Sequence, residues 1–207
     1  MTPTTDLVVV VADKCIEQAI TRLLGRHQAL GTRAVTHDLL VHPGHDPGCY
    51  TNAHELAQPY RRTHRHALVV FDLDWDGAPS RDSATLEAKV RADLARDWES
   101  RGACIVIEPE LEAWAFSDSP HVDRVLGWGD RKPPLREWLV AEGHLRAGEV
   151  KPARPKEAFE AAIRKARERN SSSLFGELAR QVSVDRCVDP SFNRLRATLR
   201  DWFPPRA

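Results

Sequence analysis

Three runs of consecutive apolar residues stand out along the chain: Leu7–Val11 (LVVVV), Ala67–Phe71 (ALVVF) and Ala103–Ile107 (ACIVI). Short, β-branched and without alternation, they suit strands covered on both faces, as in a parallel sheet. Between them the period changes. Glu17–Leu24 places Ala19, Ile20, Leu23 and Leu24 at helical spacing and stops at Gly25. Ser80–Arg101 carries Leu86, Val90, Leu94 and Trp98 at i, i+4, the stripe of an amphipathic crossover helix whose charges form a solvated face. Arg33–Val41 reads as a further strand that ends at the His42-Pro43-Gly44 turn, and Asn52–Arg65 as a short helix interrupted near Pro59. Strand and helix alternating in this way predict an α/β core with a parallel sheet and helices on both faces.

From Ser119 onward the pattern is different. Helical segments are predicted at His121–Leu126, Pro134–Glu142, Lys156–Arg169, Leu174–Val182 and Ser191–Phe203, separated by Pro and Gly, with no strand between them. In Pro155–Arg169 one face holds Ala158, Phe159, Ala162, Ile163 and Ala166; Arg154, Lys156, Arg164, Lys165, Arg167 and Arg169 surround it. The expected organisation is a core over residues 1–118 and a helical extension over 119–207 packed on it. There is no internal repeat and no Gly-rich phosphate loop.

Composition narrows the class. The chain has 207 residues, 42% hydrophobic and 29% charged, and no run of about 18 apolar residues. Its start, MTPTTDLVVVVADKC, lacks a secretory leader's basic region and cleavage site, so a cytoplasmic location without a membrane partner is expected. Cys15, Cys49, Cys104 and Cys187 are scattered, which argues against a disulfide framework and a zinc ribbon. The net charge is zero, but residues 1–118 hold 12 basic against 18 acidic residues and residues 119–207 hold 18 against 12. An acidic half that takes a metal beside a basic half that meets phosphate fits this split, as do two differently solvated surfaces.

The candidate chemistry sits where the strands end. Asp13 follows the first run and Glu17 lies one helical turn on; Asp72, Asp74 and Asp76 follow the second; Glu110 and Glu112 follow the third. Strand side chains alternate, so Asp72 and Asp74 share a side, while Gly77 marks a turn that removes Asp76. If the strands lie side by side, six carboxylates converge on one edge of the sheet, where a hard divalent ion relieves their repulsion. Pro109 suits the first turn of a helix, and Glu110 and Glu112 at its positive end also fit a plain role as dipole complements. Residues 42–50 (HPGHDPGCY) read as a loop. His42, His45 and Cys49 in it are candidate zinc ligands without a fourth partner; the other readings are a mobile loop beside the crevice and an ordinary surface loop. Trp98, Trp114, Trp138 and Trp202 fall in helical patterns as packing residues, whereas Trp75, inside the acidic turn, can stack on a base or cap the sheet.

The order of these motifs resembles the Toprim fold of primases, type IA and II topoisomerases and overcoming-lysogenization-defect nucleases. The likeness is closer to a bacterial Toprim-like family found among phage-defence genes. It is carried by Asp13-Lys14-Cys15-Ile16-Glu17, Asp72-Leu73-Asp74, Glu110-Leu111-Glu112-Ala113-Trp114, Pro155-Lys156 and Cys187 to Phe192. One position departs from the family pattern: Asp13-Lys14 stands where Glu-Gly is usual.

The resemblance implies a Toprim-like, Rossmann-type core and Mg²⁺- or Mn²⁺-dependent hydrolysis of nucleic-acid phosphodiesters in antiviral defence. Asp13, Glu17, Asp72, Asp74 and Glu112 are the expected metal ligands. Asp13, Glu17, Glu110, Glu112 and Lys156 are the expected catalytic residues, with Lys156 or Arg154 on the phosphate. Two alternatives stand beside it: a non-catalytic assembly subunit of a multi-protein defence complex, and phosphoryl or nucleotidyl transfer on a small nucleotide.

Overall fold

The apolar runs become the centre of a sheet. A computed structural model describes residues 3–117 and 119–205, and in it four strands, β1 Thr5–Val11, β2 His37–Val41, β3 His64–Asp72 and β4 Gly102–Ile107, pair in parallel in the order β2-β1-β3-β4. Leu7–Val11 and Ala67–Phe71 are buried throughout, as residues covered on both faces must be. The register sets Val10 beside Val69 and Val69 beside Cys104, so the strand ends lie close together.

Helices fill the connections and cover both faces. Helix α1 (Lys14–Leu24) and the short α2 (His27–Leu30) lead from β1 to β2; α3 (His45–Ala57) leads from β2 to β3, and α4 (Ser83–Trp98) from β3 to β4. Right-handed crossovers put α1 on one face and α3 and α4 on the other. The side chains agree. Cys104 lies near Cys49 of α3 and Glu87 of α4, and alternation then turns Val70 and Asp72 to the α1 side.

The rest of the chain is helical: α5 (Glu112–Ala115), α6 (Pro120–Val125), α7 (Leu135–Ala141), α8 (Pro155–Ala166), α9 (Ser172–Gln181) and α10 (Pro190–Trp202). It packs on the sheet-bearing part. Helix α9 lies along α1, and α10 reaches β4 and α2. At the end of α10, Trp202 stacks on His66 of β3 with ring centroids 4.3 Å apart. Strand β4 is an edge, and the outward groups of Val106 are taken up: its N–H donates to Glu87 Oε1 at 2.9 Å, and Arg194 of α10 donates to its carbonyl at 3.1 Å. Among the described residues, no helix is long and apolar enough to cross a membrane.

Several expected boundaries are corrected. The second strand begins at His37 rather than Arg33, because Arg33 leaves the sheet to bind Asp6 through both guanidinium nitrogens. Strand β3 begins at His64, three residues early, and the expected helix over 52–65 instead starts at His45 and ends at Ala57. The Gly- and Pro-rich stretch 42–50 is therefore not a loop after Gly44. Pro47 falls in the first helical turn, where its missing N–H has no partner to lose, so it starts the helix rather than breaking it. Pro109 does not open a helix either. The Glu108–Pro109 peptide is cis, the Pro109 carbonyl accepts the N–H groups of Leu73 and Asp74, and α5 is one turn beginning at Glu112.

Candidate functional site

The carboxyl ends of the four strands are tied together, and the acids stand on that scaffold. Ala12 N–H donates to the Val70 carbonyl and His42 N–H to the Val11 carbonyl, continuing the ladder past β1 and β2. Asp13 is the N-cap of α1. Its Oδ1 accepts the Ile16 N–H at 2.8 Å, which fixes the side chain where β1 meets the helix.

After β2 the turn is held from below by His42. Its buried ring accepts the Gly44 N–H on Nδ1 at 3.0 Å, so the imidazole is neutral with its proton on Nε2, and burial keeps its pKa below the ordinary value. His45 takes a left-handed φ of 52° and sets its Nδ1 3.2 Å from the Ala12 carbonyl. The next residue, Asp46, then reaches across the sheet end: its Oδ1 accepts the Asp72 backbone N–H at 2.9 Å. Asp72 ends β3 on the α1 side, and its Oδ1 is buried without a hydrogen-bond partner among the described residues.

The electrostatics define a cluster. Burial raises the Asp72 carboxyl well above the usual range, and Asp46, Glu112, Asp13 and Glu110 raise it further. Burial also raises Asp46, with Asp13 adding to the effect. Glu112 is pushed up to about 7, first by burial and then by Glu110, while Lys156 opposes the rise. The Cys15 thiol, on the first turn of α1, is pushed up to about 12 by burial and by Asp13, Glu112 and Asp72, and is thus held as the inert thiol. A lysine faces these groups. Lys156, at the start of α8, binds Glu110 Oε2 at 2.6 Å, and its pKa is raised first by that bond and then by Glu110, Glu112 and Asp72.

Asp13, Asp72, Glu110, Glu112 and Lys156, all expected from sequence, are therefore brought together. Two others are not. Glu17 lies on α1 but is held by Lys14, 2.9 Å away. Asp74 is exposed and pairs with Arg81; the strand ends at Asp72, and the alternation that was to align the two acids stops there. Asp76 is exposed in the turn, as Gly77 indicated. His42, His45 and Cys49 do not converge: His42 locks the turn, His45 contacts a carbonyl, and Cys49 is buried with its thiol pushed up. Among the described residues, no three His, Cys, Asp or Glu side chains are already placed to hold a metal ion together. Trp75 packs toward Tyr50 of α3, ring centroids 6.1 Å apart, with its indole N–H buried and unpaired.

Asp46 and Cys15 are the members that sequence reasoning missed. Asp46 carried a signal, since it opens the helix after β2 much as Asp13 caps the helix after β1; reading 42–50 as a loop hid it. The cluster can bind a cation through hard oxygen donors and, through Glu112, take up a proton near neutral pH. Comparison with protein-family models, with curated proteins and with solved structures gives no match to this chain.

Proposed function

We propose that the protein is a Toprim-like nuclease that uses Mg²⁺ or Mn²⁺ to hydrolyse nucleic-acid phosphodiesters, in bacterial antiviral defence. The observation that carries the reading is Asp72 Oδ1, buried and, among the described residues, without a hydrogen-bond donor, in a carboxyl group whose pKa is raised by burial and by the charges of Asp46, Glu112 and Asp13. Four acids in such a place repel one another, and a hard divalent cation relieves the repulsion. The donor set, oxygen only, suits Mg²⁺ or Mn²⁺ rather than a thiolate-seeking ion. Asp72, Asp13 and Asp46 are the residues that would hold it, with Glu112 left free to act as a base. When bound, the ion supplies charge neutralisation at the phosphoryl oxygens and a more acidic water.

The chain's own groups have matching roles. Glu112, poised near neutrality, accepts the proton of the attacking water. Lys156, paired with Glu110, would hold the phosphate by charge. Asp13 and Asp46 keep their positions through backbone hydrogen bonds that do not depend on an ion. Cleavage of single- and double-stranded nucleic acid in Mn²⁺, compared with the Asp72→Asn variant, tests the assignment; equal cleavage by both proteins would overturn it.

The assembly-subunit reading has one observation in its favour. Glu17 and Asp74, two expected ligands, are already neutralised by Lys14 and Arg81. Titration calorimetry with Mn²⁺ separates the readings, because a degenerate site gives no heat of binding at millimolar metal.

A further inference from the structure

Helix α8 connects the acid cluster to a second feature. Its first turn carries Lys156, bound to Glu110; its last turn carries Arg164 and Lys165, and Arg167 follows in a left-handed conformation with φ 64°. Lys156, Glu160, Arg164 and Arg167 lie at i, i+4, i+8 and i+11, along one stripe of the helix. Beside its C-terminal half lies a groove of about 730 Å³, lined by Arg131, Trp138, His144, Arg164, Lys165 and Arg167 together with Ala161 and Glu142. The size is within the range of ligand-binding clefts.

The cations of this groove are uncompensated. Arg131 is fixed by bonds to the Gly127 and Ala166 carbonyls, with its guanidinium 5.7 Å from the Trp128 ring, and pairs with no carboxylate among the described residues. Arg164, Lys165 and Arg167 form no ion pair and no side-chain hydrogen bond among the described residues. Arg164 and Lys165 also complement the negative end of α8. That role does not account for Arg131, which belongs to another segment, or for Arg167, which lies past the helix. Two acids oppose the pattern: Glu142 on the rim, and Glu160 midway along the stripe. Four cations, of which Arg131 is held in place by two backbone carbonyls, against the Glu142 carboxylate on a concave surface suit a string of phosphates.

We propose that this groove is a backbone-binding site for the nucleic acid, separate from the acid cluster and set apart from it by the length of α8. The inference rests on the nuclease reading of the cluster. From Lys156 to Arg164 the helix rises about 12 Å, and to Arg167 about 16 Å. At about 3.4 Å of rise per nucleotide, the groove engages phosphates about four to five nucleotides from the reacting one. The protein then prefers polynucleotides to mononucleotides, through phosphate contacts that do not read sequence.

The test is fluorescence anisotropy with labelled single-stranded and duplex oligodeoxynucleotides of increasing length, in EDTA so that no cleavage occurs. The variant combines Arg164→Gln, Lys165→Gln and Arg167→Gly, which keep helix propensity and tolerate the left-handed φ. Circular dichroism and the urea midpoint check its fold. Expected is a gain in affinity for the parent beyond about five nucleotides, lost in the variant, with Kd raised about tenfold or more at low salt. The salt slope on single strands falls by about two, and the two strand forms show which backbone is preferred. Equal affinity and salt dependence in parent and variant would overturn the proposal, as would a parent that binds no oligonucleotide. If binding behaves as expected but Mn²⁺ produces no cleavage, the groove stands and the nuclease reading fails.

Discussion

Asp46 Oδ1 accepts the backbone N–H of Asp72 at 2.9 Å, although the two residues belong to different strand-helix connections. The bond crosses the end of β1, because β2 and β3 flank that strand. It positions one acid of the cluster by the backbone of another. Asp46→Asn keeps an acceptor for this N–H but removes the charge; Asp46→Ala removes both. Mn²⁺ affinity by titration calorimetry is expected to fall about 10- to 100-fold in each variant. Only the Ala variant is expected to lose about 1–3 kcal/mol of stability to urea, the cost of the orphaned N–H. Parental Mn²⁺ affinity in Asp46→Asn would remove Asp46 from the metal's surroundings.

Asp72 and Asp74 are two residues apart, yet their surroundings differ. Asp72 is among carboxylates, and Asp74 pairs with Arg81 in solvent. A ligand that binds only the folded state stabilises it by about 2.7 kcal/mol at a hundredfold excess over Kd. Mn²⁺ is therefore expected to raise the melting temperature of the parent and of Asp74→Asn, and to leave Asp72→Asn unmoved. In EDTA, Asp72→Asn is expected to melt higher than the parent, since it removes a carboxyl group whose ionisation burial and the neighbouring acids oppose. A rise with Mn²⁺ in Asp72→Asn would show that the ion sits elsewhere.

How much of this was legible in the sequence follows from what each segment depends on. Leu7–Val11, Ala67–Phe71 and Ala103–Ile107 could be read as central strands because burial on both faces leaves an unbroken apolar run. Asp13, Asp72 and Glu112 could be placed because strand ends open on a common crevice. Asp46 was missed because the Gly- and Pro-rich stretch reads as a loop: the helix start there rests on a positive-φ His45 and a buried His42, neither of which has a local pattern. Asp74 was misplaced for a related reason: alternation holds only while the strand lasts, and past Asp72 the Leu73 N–H is shared between the Ile107 and Pro109 carbonyls while the Asp74 N–H turns to Pro109. Sequence offers no trace of that long-range contact.

At the opposite end of the sheet, Asp6 supports the start of β1. Its two carboxylate oxygens accept from Arg33 at 2.6 and 2.7 Å, and Oδ2 also accepts from Thr36 N–H and Oγ1. The Arg33 hydrogen bond holds the Asp6 carboxyl well below its ordinary 3.8. A lowered folded-state pKa means that the stabilisation is complete above 3.8 and is lost as the pH falls toward the folded value. Asp6→Asn is thus expected to cost about 1.5–3 kcal/mol at neutral pH. The gap between parent and variant melting temperatures narrows as the pH is lowered toward about 2. A gap that does not change between neutral and acid pH would show that the Asp6 charge contributes nothing.

The position of Asp46 depends in turn on Gly48 and His42. A Cβ at Gly48 would come within 2.1 Å of His42 Nδ1 and 2.3 Å of Cε1, so the helix can sit on the imidazole only while residue 48 has no side chain. The ring cannot retreat freely, because it is buried and accepts the Gly44 N–H. Gly48→Ala is therefore expected to destabilise the fold by about 1–3 kcal/mol, despite the better helix propensity of Ala. Because the strain falls two residues from Asp46, Mn²⁺ affinity is expected to fall with it. His42→Ala removes the ring and leaves space for the new methyl group. The double variant is then expected to be more stable than the sum of the two single effects implies, by about 0.5–3 kcal/mol in a double-mutant cycle. Urea unfolding of the four proteins measures that coupling; strict additivity would show that His42 does not constrain the first turn of α3.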